Sequence, residues 1–253
     1  MDLEGTRVLV TGAATGIGRA SALAFADVGA AAVAVVDIDE VGLGETAALV
    51  ADRGATAKAL VVDVSDPSAL SAAFADAMDA FGGLDVVHNN AGLVSGNPPW
   101  PGTPVDVIQR VVNVNVVGTM VGTRLAIDAL AASGGGAIVN TASVAGLAPM
   151  PTDAVYAATK AAVILFTQSC ATVKDSHGVR VNAVLPGIVD TSMVRKTGDG
   201  TTPAEWLQPM LPLIQPLEPD RIAAEVVALA ADDSKAGQTS IVANEMAPQP
   251  EAG

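Results

Sequence analysis

The chain of 253 residues contains a single tyrosine, Tyr156, and a lysine follows it four positions on, at Lys160. On a helix, residues i and i+4 share a face. A phenol titrates near ~10 when unperturbed, and a neighbouring ammonium stabilises phenolate and lowers that value. Such a phenol can exchange a proton with a carbonyl or alcohol oxygen near neutral pH. Taken alone, the same spacing also suits a surface Tyr beside a solvated Lys. Ser143 stands thirteen residues before the Tyr, just past the apolar run Ala137 to Thr141. Its hydroxyl could bond the same substrate oxygen, or it could simply form a turn.

A second chemistry is written near the N-terminus, in Thr11-Gly12-Ala13-Ala14-Thr15-Gly16-Ile17-Gly18. Glycines let backbone approach a pyrophosphate, and a helix N-terminus beyond them supplies free amides and the positive end of a dipole. Tight packing alone would also use such a turn, but its place after a first strand and before a helix favours the phosphate role. Asp37 ends the next apolar run, about twenty residues on. A carboxylate there accepts both hydroxyls of an adenosine ribose and repels a 2′-phosphate, or else it caps the helix near Val41. No Arg or Lys lies between Arg19 and Arg53, which favours NAD over NADP. Asp63-Val64 closes a third apolar run and could touch the adenine edge.

Composition excludes much else. The formal net charge is −14. So acidic a surface repels phosphate backbones and anionic lipid, which argues against nucleic-acid and membrane partners. One Cys rules out a disulfide framework or a multi-thiolate zinc site, and two distant His leave no metal centre. Half the residues are apolar, so a sizeable core is expected. The longest uncharged stretch, Ala129 to Thr152, is broken by Gly and Pro and does not read as a membrane span. The first residues show no basic region followed by an apolar core, and the cytoplasm is the expected compartment.

The elements that must carry these groups alternate. Strands are expected at Arg7 to Thr11, Ala32 to Asp37, Ala59 to Val64, Leu84 to His88, Ala137 to Thr141, Val179 to Val184 and Thr239 to Ala243. Helices are expected at Ile17 to Val28, Val41 to Arg53, Pro67 to Phe81, Val105 to Leu130, Ala154 to Lys174 and Arg221 to Ala231. Continuously apolar strands separated by helices imply an α/β, doubly wound (Rossmann-type), mostly seven-stranded parallel sheet flanked by helices on both faces. Residues 1–253 read as one domain. Its irregular, Pro-rich part at about 190–219 suits either a substrate-binding lid or a surface loop over core.

Together these residues carry a resemblance. The chain resembles the short-chain dehydrogenase/reductase family, in its compact single-domain branch, through the turn Thr11–Gly18, Asp63-Val64, Asn89-Asn90-Ala91-Gly92, Asn115, Ser143, Tyr156 with Lys160, and Pro186-Gly187 followed by Thr191. The match is continuous from about Gly5 to Thr191. It implies that Tyr156 is the acid/base, that Lys160 lowers its pKa and holds the nicotinamide ribose, and that Ser143 orients the carbonyl. It also implies that Asn115 holds a water linking Lys160 to solvent; alone, Asn115 would suit an exposed helix face. Gly12, Thr15, Gly16, Ile17 and Gly18 would hold the pyrophosphate. Asn90, Ala91 and Gly92 would lie on the adenosine side, with Pro186, Gly187, Ile188 and Thr191 beside the nicotinamide carboxamide. His88 stands at a usually aliphatic or Asn position and reads as a strand-end residue. Cys170 reads as a buried helical residue.

The implied function is an NAD(H)-dependent oxidoreductase that interconverts a secondary alcohol and a ketone. The apolar segment Met193 to Leu217 suggests an apolar or alicyclic, hydroxysteroid-like substrate. A 3-oxoacyl thioester reductase is the nearest alternative, and a catalytically silent nucleotide-sensing or scaffold protein is the alternative of another class. A homo-oligomer, tetramer or dimer, is expected. The last strand departs from the family: where it commonly ends in Asp-Gly-Gly, this chain reads Ile241-Val242-Ala243-Asn244-Glu245-Met246.

Overall fold

The computed structural model describes residues 1–195, 208–210 and 212–245. The middle of the expected substrate segment, the tail around Pro248 and Trp206 lie outside them. Strands β1 (Arg7–Thr11), β2 (Ala32–Asp37), β3 (Thr56–Val61), β4 (Val86–Asn89), β5 (Gly136–Thr141), β6 (Val179–Pro186) and β7 (Thr239–Val242) form one sheet. The order is β3-β2-β1-β4-β5-β6-β7, and every pair is parallel. The expected doubly wound Rossmann-type sheet is therefore present. Strand order reverses between β1 and β4, and ligands of such sheets bind in the crevice beyond the strand ends there.

The helices are α1 (Gly16–Asp27), α2 (Glu40–Ala51), α3 (Pro67–Phe81), α4 (Val105–Val112), α5 (Thr119–Ala132), α6 (Ala154–Ser169), α7 (Val173–His177), α8 (Ser192–Arg195) and α9 (Pro219–Ala231). Alternation along the strands divides the core between two faces. Val8, Val10, Val33 and Val35 pack with Phe25, Leu43, Ile222 and Leu229 from α1, α2 and α9. Leu9, Ala34 and Val36 turn the other way, onto Leu70, Phe74, Ala126 and Leu130 from α3 and α5. Buried on both sides, the central strands are mostly aliphatic, with His88, Asn89, Asn140 and Thr141 as buried polar residues at the ends of β4 and β5, and continuous apolar runs located them.

Three expectations shift. The third strand spans Thr56–Val61, not Ala59 to Val64. It is an edge strand, so Thr56 and Lys58 are tolerated on it, and its pairing stops when Val62 N–H bonds Asp37 O at 2.8 Å. Asp63 and Val64 thus sit in the loop beyond the strand. The long helix from Val105 is interrupted by a π-helical turn, Asn113–Gly118, before α5 continues to Ala132. It is long and apolar enough to cross a membrane, yet half of its most apolar stretch is buried within the fold. The helix from Ala154 ends at Ser169, with Cys170 as its cap and α7 beginning at Val173. Cys170 is half-buried rather than within a helix, and burial pushes its thiol up.

Candidate active site

The glycine loop runs from the end of β1 to the start of α1. Gly12 has φ +66°, and a Cβ there would lie 2.8 Å from Ala91 Cα. A Cβ on Gly18 would lie 2.0 Å from Gly12 O, so the loop and helix meet with no room for a side chain. Thr15 precedes α1 without a side-chain cap, which leaves the amides of that N-terminus to bind an anion. Ile17 is the second residue of α1. Asn90 fastens the loop from β4, its Nδ2 donating to Thr11 O (3.1 Å) and Gly12 O (3.3 Å). Thr11 Oγ1 in turn accepts from Asn90 N–H and Ala91 N–H. Thr191 lies against the loop, its Cγ2 3.1 Å from where a Gly16 Cβ would be.

Asp37 closes the β2 side of the crevice. Its Oδ2 accepts from Ala14 N–H (3.0 Å) and its Oδ1 from Ile38 N–H and Asp39 N–H. These bonds anchor the carboxylate at the loop; the helix cap itself is Asp39, which accepts from Gly42 N–H. Arg19 is already committed to Glu45, to Thr46 and to the carbonyls of Ala14 and Gly42. Val64 is buried against Gly118 of the π turn, while Asp63 is exposed and accepts from Ser65.

The four expected catalytic side chains converge across the crevice. Asp153 caps α6 by accepting from Tyr156 N–H at 3.0 Å, which seats Tyr156 in the first turn. Ser143 caps the short turn Val144–Gly146 and is buried beside the phenol. Lys160 is 3% exposed, with Nζ 5.7 Å from the Tyr156 ring centroid and bonded to Thr141 O at 2.7 Å. A Cβ on Gly92 would be 3.4 Å from both Lys160 Nζ and Asn115 Oδ1. Asn115 is fully buried in the π turn, not on an exposed helix face. Its carboxamide accepts from Leu93 N–H (2.7 Å) and donates to Leu93 O (2.8 Å) and Thr159 Oγ1 (3.0 Å). Single π turns inside helices recur at functional sites.

Electrostatics depart from the simple expectation at Tyr156. Burial pushes the phenol above its ordinary value; the Ser143 hydroxyl opposes this and the Asp153 carboxylate adds to it. Burial also pushes Lys160 down to about 8. Desolvation penalises the charged form of each group, and at Tyr156 it is the largest influence. The chain alone thus keeps the phenol protonated at neutral pH.

Several residues that matter here were not singled out by sequence. Thr141 O holds Lys160, Asp153 seats Tyr156, and Thr159 links Asn115 to Tyr156 O. Asp153 alone left a signal, as an acidic residue directly before a helix. His88 is fully buried, with Nε2 2.8 Å from Thr141 Oγ1. Thr141 Oγ1 donates to Asn90 Oδ1, so it accepts from His88, which fixes the Nε2–H tautomer. Burial pushes His88 down to about 3, so it is neutral.

Beyond the end of β6, Pro186 O accepts from Ser143 Oγ at 3.4 Å and Gly187 N–H bonds Val242 O. Ile188 does not have its main chain available. Its N–H goes to Asn244 Oδ1, and its C=O accepts from Leu217 N–H and Asn244 Nδ2. Val189 forms a parallel bridge with Leu217. Because the bonds of that bridge come from Ile188 and Asp190, the N–H and C=O of Val189 face the opposite side, where Thr191 Oγ1 approaches Val189 O at 3.4 Å.

A switch-point crevice with an uncapped glycine loop, a ribose-height carboxylate and a Ser-Tyr-Lys cluster defines a nucleotide-binding oxidoreductase. The family model for short chain dehydrogenases matches residues 6–202, and the chain belongs to that family. A "probable oxidoreductase EphD" of Mycobacterium tuberculosis is 42% identical over 76% of this chain, although the chain spans only 32% of that relative's length. The 3beta-hydroxysteroid dehydrogenase 1 of Eggerthella lenta is 36% identical, with 92% of this chain and 89% of that one aligned. Among solved structures, NAD+-bound xylitol dehydrogenase superposes with a TM-score of 0.85 at 29% identity, covering 97% of this chain and 100% of that one. A short chain dehydrogenase from Burkholderia cenocepacia J2315 in complex with NADP also reaches 0.85, at 32% identity over 96% and 98%.

Proposed function

We propose that the protein interconverts a secondary alcohol and a ketone with NAD(H), with Tyr156 as proton donor and acceptor. One observation carries the reading: Ser143 adjoins Tyr156, Tyr156 adjoins Lys160, and Lys160 and Asn115 meet at Gly92, next to Ala91, which packs on the glycine loop. A nicotinamide bound there supplies or accepts the hydride. The chain does the rest. The loop Gly12–Gly18 and the start of α1 hold the pyrophosphate, Asp37 takes the adenosine ribose hydroxyls, and Asn90 to Gly92 and Asp63-Val64 flank the adenosine. Pro186 to Thr191 holds the carboxamide, with the outward peptide edge of Val189 as the donor and acceptor pair. Ser143 bonds the substrate oxygen and Tyr156 gives or takes its proton. A raised phenol pKa suits the donor role in reduction. For oxidation, the positive charge of the oxidised ring and Lys160 together must bring the phenol down. Asn115 keeps Leu93 and the helix carrying Lys160 in register.

NAD is preferred over NADP because Asp37 would face a 2′-phosphate and Arg19 is already paired. The substrate is an apolar or alicyclic alcohol, a reading that the hydroxysteroid dehydrogenase relative supports. The enzyme works in the cytoplasm as one domain, and exposed Val105 and Leu165 on α4 and α6 offer apolar surface for a dimer or tetramer. The test is Tyr156→Phe: NADH should bind as in the parent, while turnover of secondary alcohols falls by about 10³–10⁴-fold. Retention of most activity would refute the mechanism. A panel of secondary alcohols with NAD and then NADP decides substrate class and cofactor. Turnover of small polyols alone would contradict the apolar reading, and a preference for NADPH would favour the thioester reductase.

A further inference from the structure

Asn244 lies in the stretch where the family resemblance expects Asp-Gly-Gly, and its side chain makes three hydrogen bonds. Oδ1 accepts from Ile188 N–H at 2.7 Å, and Nδ2 donates to Ile188 O at 2.7 Å and to Gln215 O at 3.0 Å. The next residue continues the contact, since Gln215 N–H bonds Glu245 O at 3.2 Å. One carboxamide therefore ties together the chain leaving β6, the chain returning towards α9 and the end of β7. The site is built for it: a Cβ on Gly187 would lie 2.2 Å from Asn244 Oδ1, so only glycine there admits the amide.

The consequence falls on Val189. By taking the N–H and C=O of Ile188, Asn244 and Leu217 fix the orientation of this short strand and leave the peptide edge of Val189 turned the other way. We propose that Asn244 is a positioning residue: it clamps Ile188 and Gln215 so that Val189 presents a rigid donor and acceptor pair to the nicotinamide carboxamide. This rests on the oxidoreductase reading above. The clamp acts on the nicotinamide end alone, because the adenosine half is anchored at Asp37 and the glycine loop. A loose clamp misplaces the hydride and lowers kcat, and it leaves most of the affinity intact; a displacement of about 1 Å costs up to about a hundredfold in rate.

Asn244→Ala removes all three bonds. Asn244→Asp keeps an acceptor for Ile188 N–H but sets an oxygen against the carbonyls of Ile188 and Gln215. Gly187→Ala evicts the amide without touching Asn244. Hydrogen exchange resolved to single amides, together with steady-state kinetics, tests the proposal. In Asn244→Ala and Gly187→Ala, the Ile188, Gln215 and Leu217 amides should exchange at least about tenfold faster, with Val181 to Val184 unchanged. The value of kcat should fall about tenfold or more, and the KM for NAD should rise less than about threefold. Asn244→Asp should keep Ile188 protected and lose protection at Gln215. Unchanged exchange at Ile188 and Leu217, equal loss of protection across β6, or an unaltered kcat would each overturn the proposal. Clamp-specific exchange in a protein that turns over no alcohol would keep the clamp and refute the oxidoreductase reading instead.

Discussion

The two ends of the crevice hold their backbone in different ways. At the glycine-loop end, contiguous residues do the work: glycines at 12, 16 and 18 allow close approach, and α1 presents uncapped amides. At the β6 end, proposed for the nicotinamide, segments far apart in sequence hold one another: Ser143 with Pro186, Lys160 with Thr141, and Asn244 with Ile188 and Gln215. The first end is specified by local steric rules. The second depends on polar side chains that close long loops and satisfy main-chain groups which would otherwise be buried unpaired. In the proposed function, a rigid local motif binds the cofactor and a long-range network sets the reaction geometry.

Substitutions at the two ends should therefore fail differently. The largest effect is expected at Lys160→Met, where kcat falls about 10²–10³-fold while the lost ribose contact lowers NADH affinity by less than about tenfold. A parallel loss of binding and turnover would place Lys160 in mere structure. Next comes Gly18→Ala at the other end. Its Cβ cannot fit beside Gly12 O, so NADH affinity measured by calorimetry should drop about 10–100-fold, with kcat at saturation nearly kept. The comparison breaks if kcat collapses instead. Asp37→Ala is smaller: the ratio of kcat/KM for NAD over NADP should fall about tenfold, mostly through NAD. An unchanged ratio would remove Asp37 from ribose recognition.

The smallest effect on activity is expected at His88→Gln, within about threefold of the parent, because a side-chain amide can still donate to Thr141. Its signature lies in acid. The folded His88 sits at about 3 against 6.5 for the ordinary residue. Between those values the unfolded chain binds the extra proton, so stability is full above pH 6.5 and declines as pH falls towards 3. The loss amounts to about 2–3 kcal/mol by about pH 4.5. Denaturant unfolding at neutral and acid pH should show that loss shrink in His88→Gln; an identical acid profile would mean that His88 is more exposed than it is here.

The same contrast governs what the sequence disclosed. The glycine turn, the central strands and the Tyr156–Lys160 spacing were legible because each follows from residues close together or from unbroken apolar runs. The edge strand β3 was misplaced because Thr56 and Lys58 carry no apolar signal, while Val62 and Val64 prolong the apolar run past the end of the strand. The π turn at Asn115 was invisible because its apolar neighbours continue helical periodicity on both sides. Asn244 and Val189 could not be found at all: their roles arise from pairing between β6, residues 215–217 and β7. Ile188, which the resemblance placed on the carboxamide, has its main chain occupied for the same reason.

The central claim is that Tyr156 changes its acidity with the state of the site, and the chain makes this measurable because it has no other phenol. A spectrophotometric titration, with the Trp background subtracted, reports Tyr156 alone. Without cofactor its pKa should lie above that of a free phenol, as burial dictates. With NAD bound it should fall below the free-phenol value of about 10. A value that stays at or above the free phenol with NAD bound would contradict Tyr156 as the base.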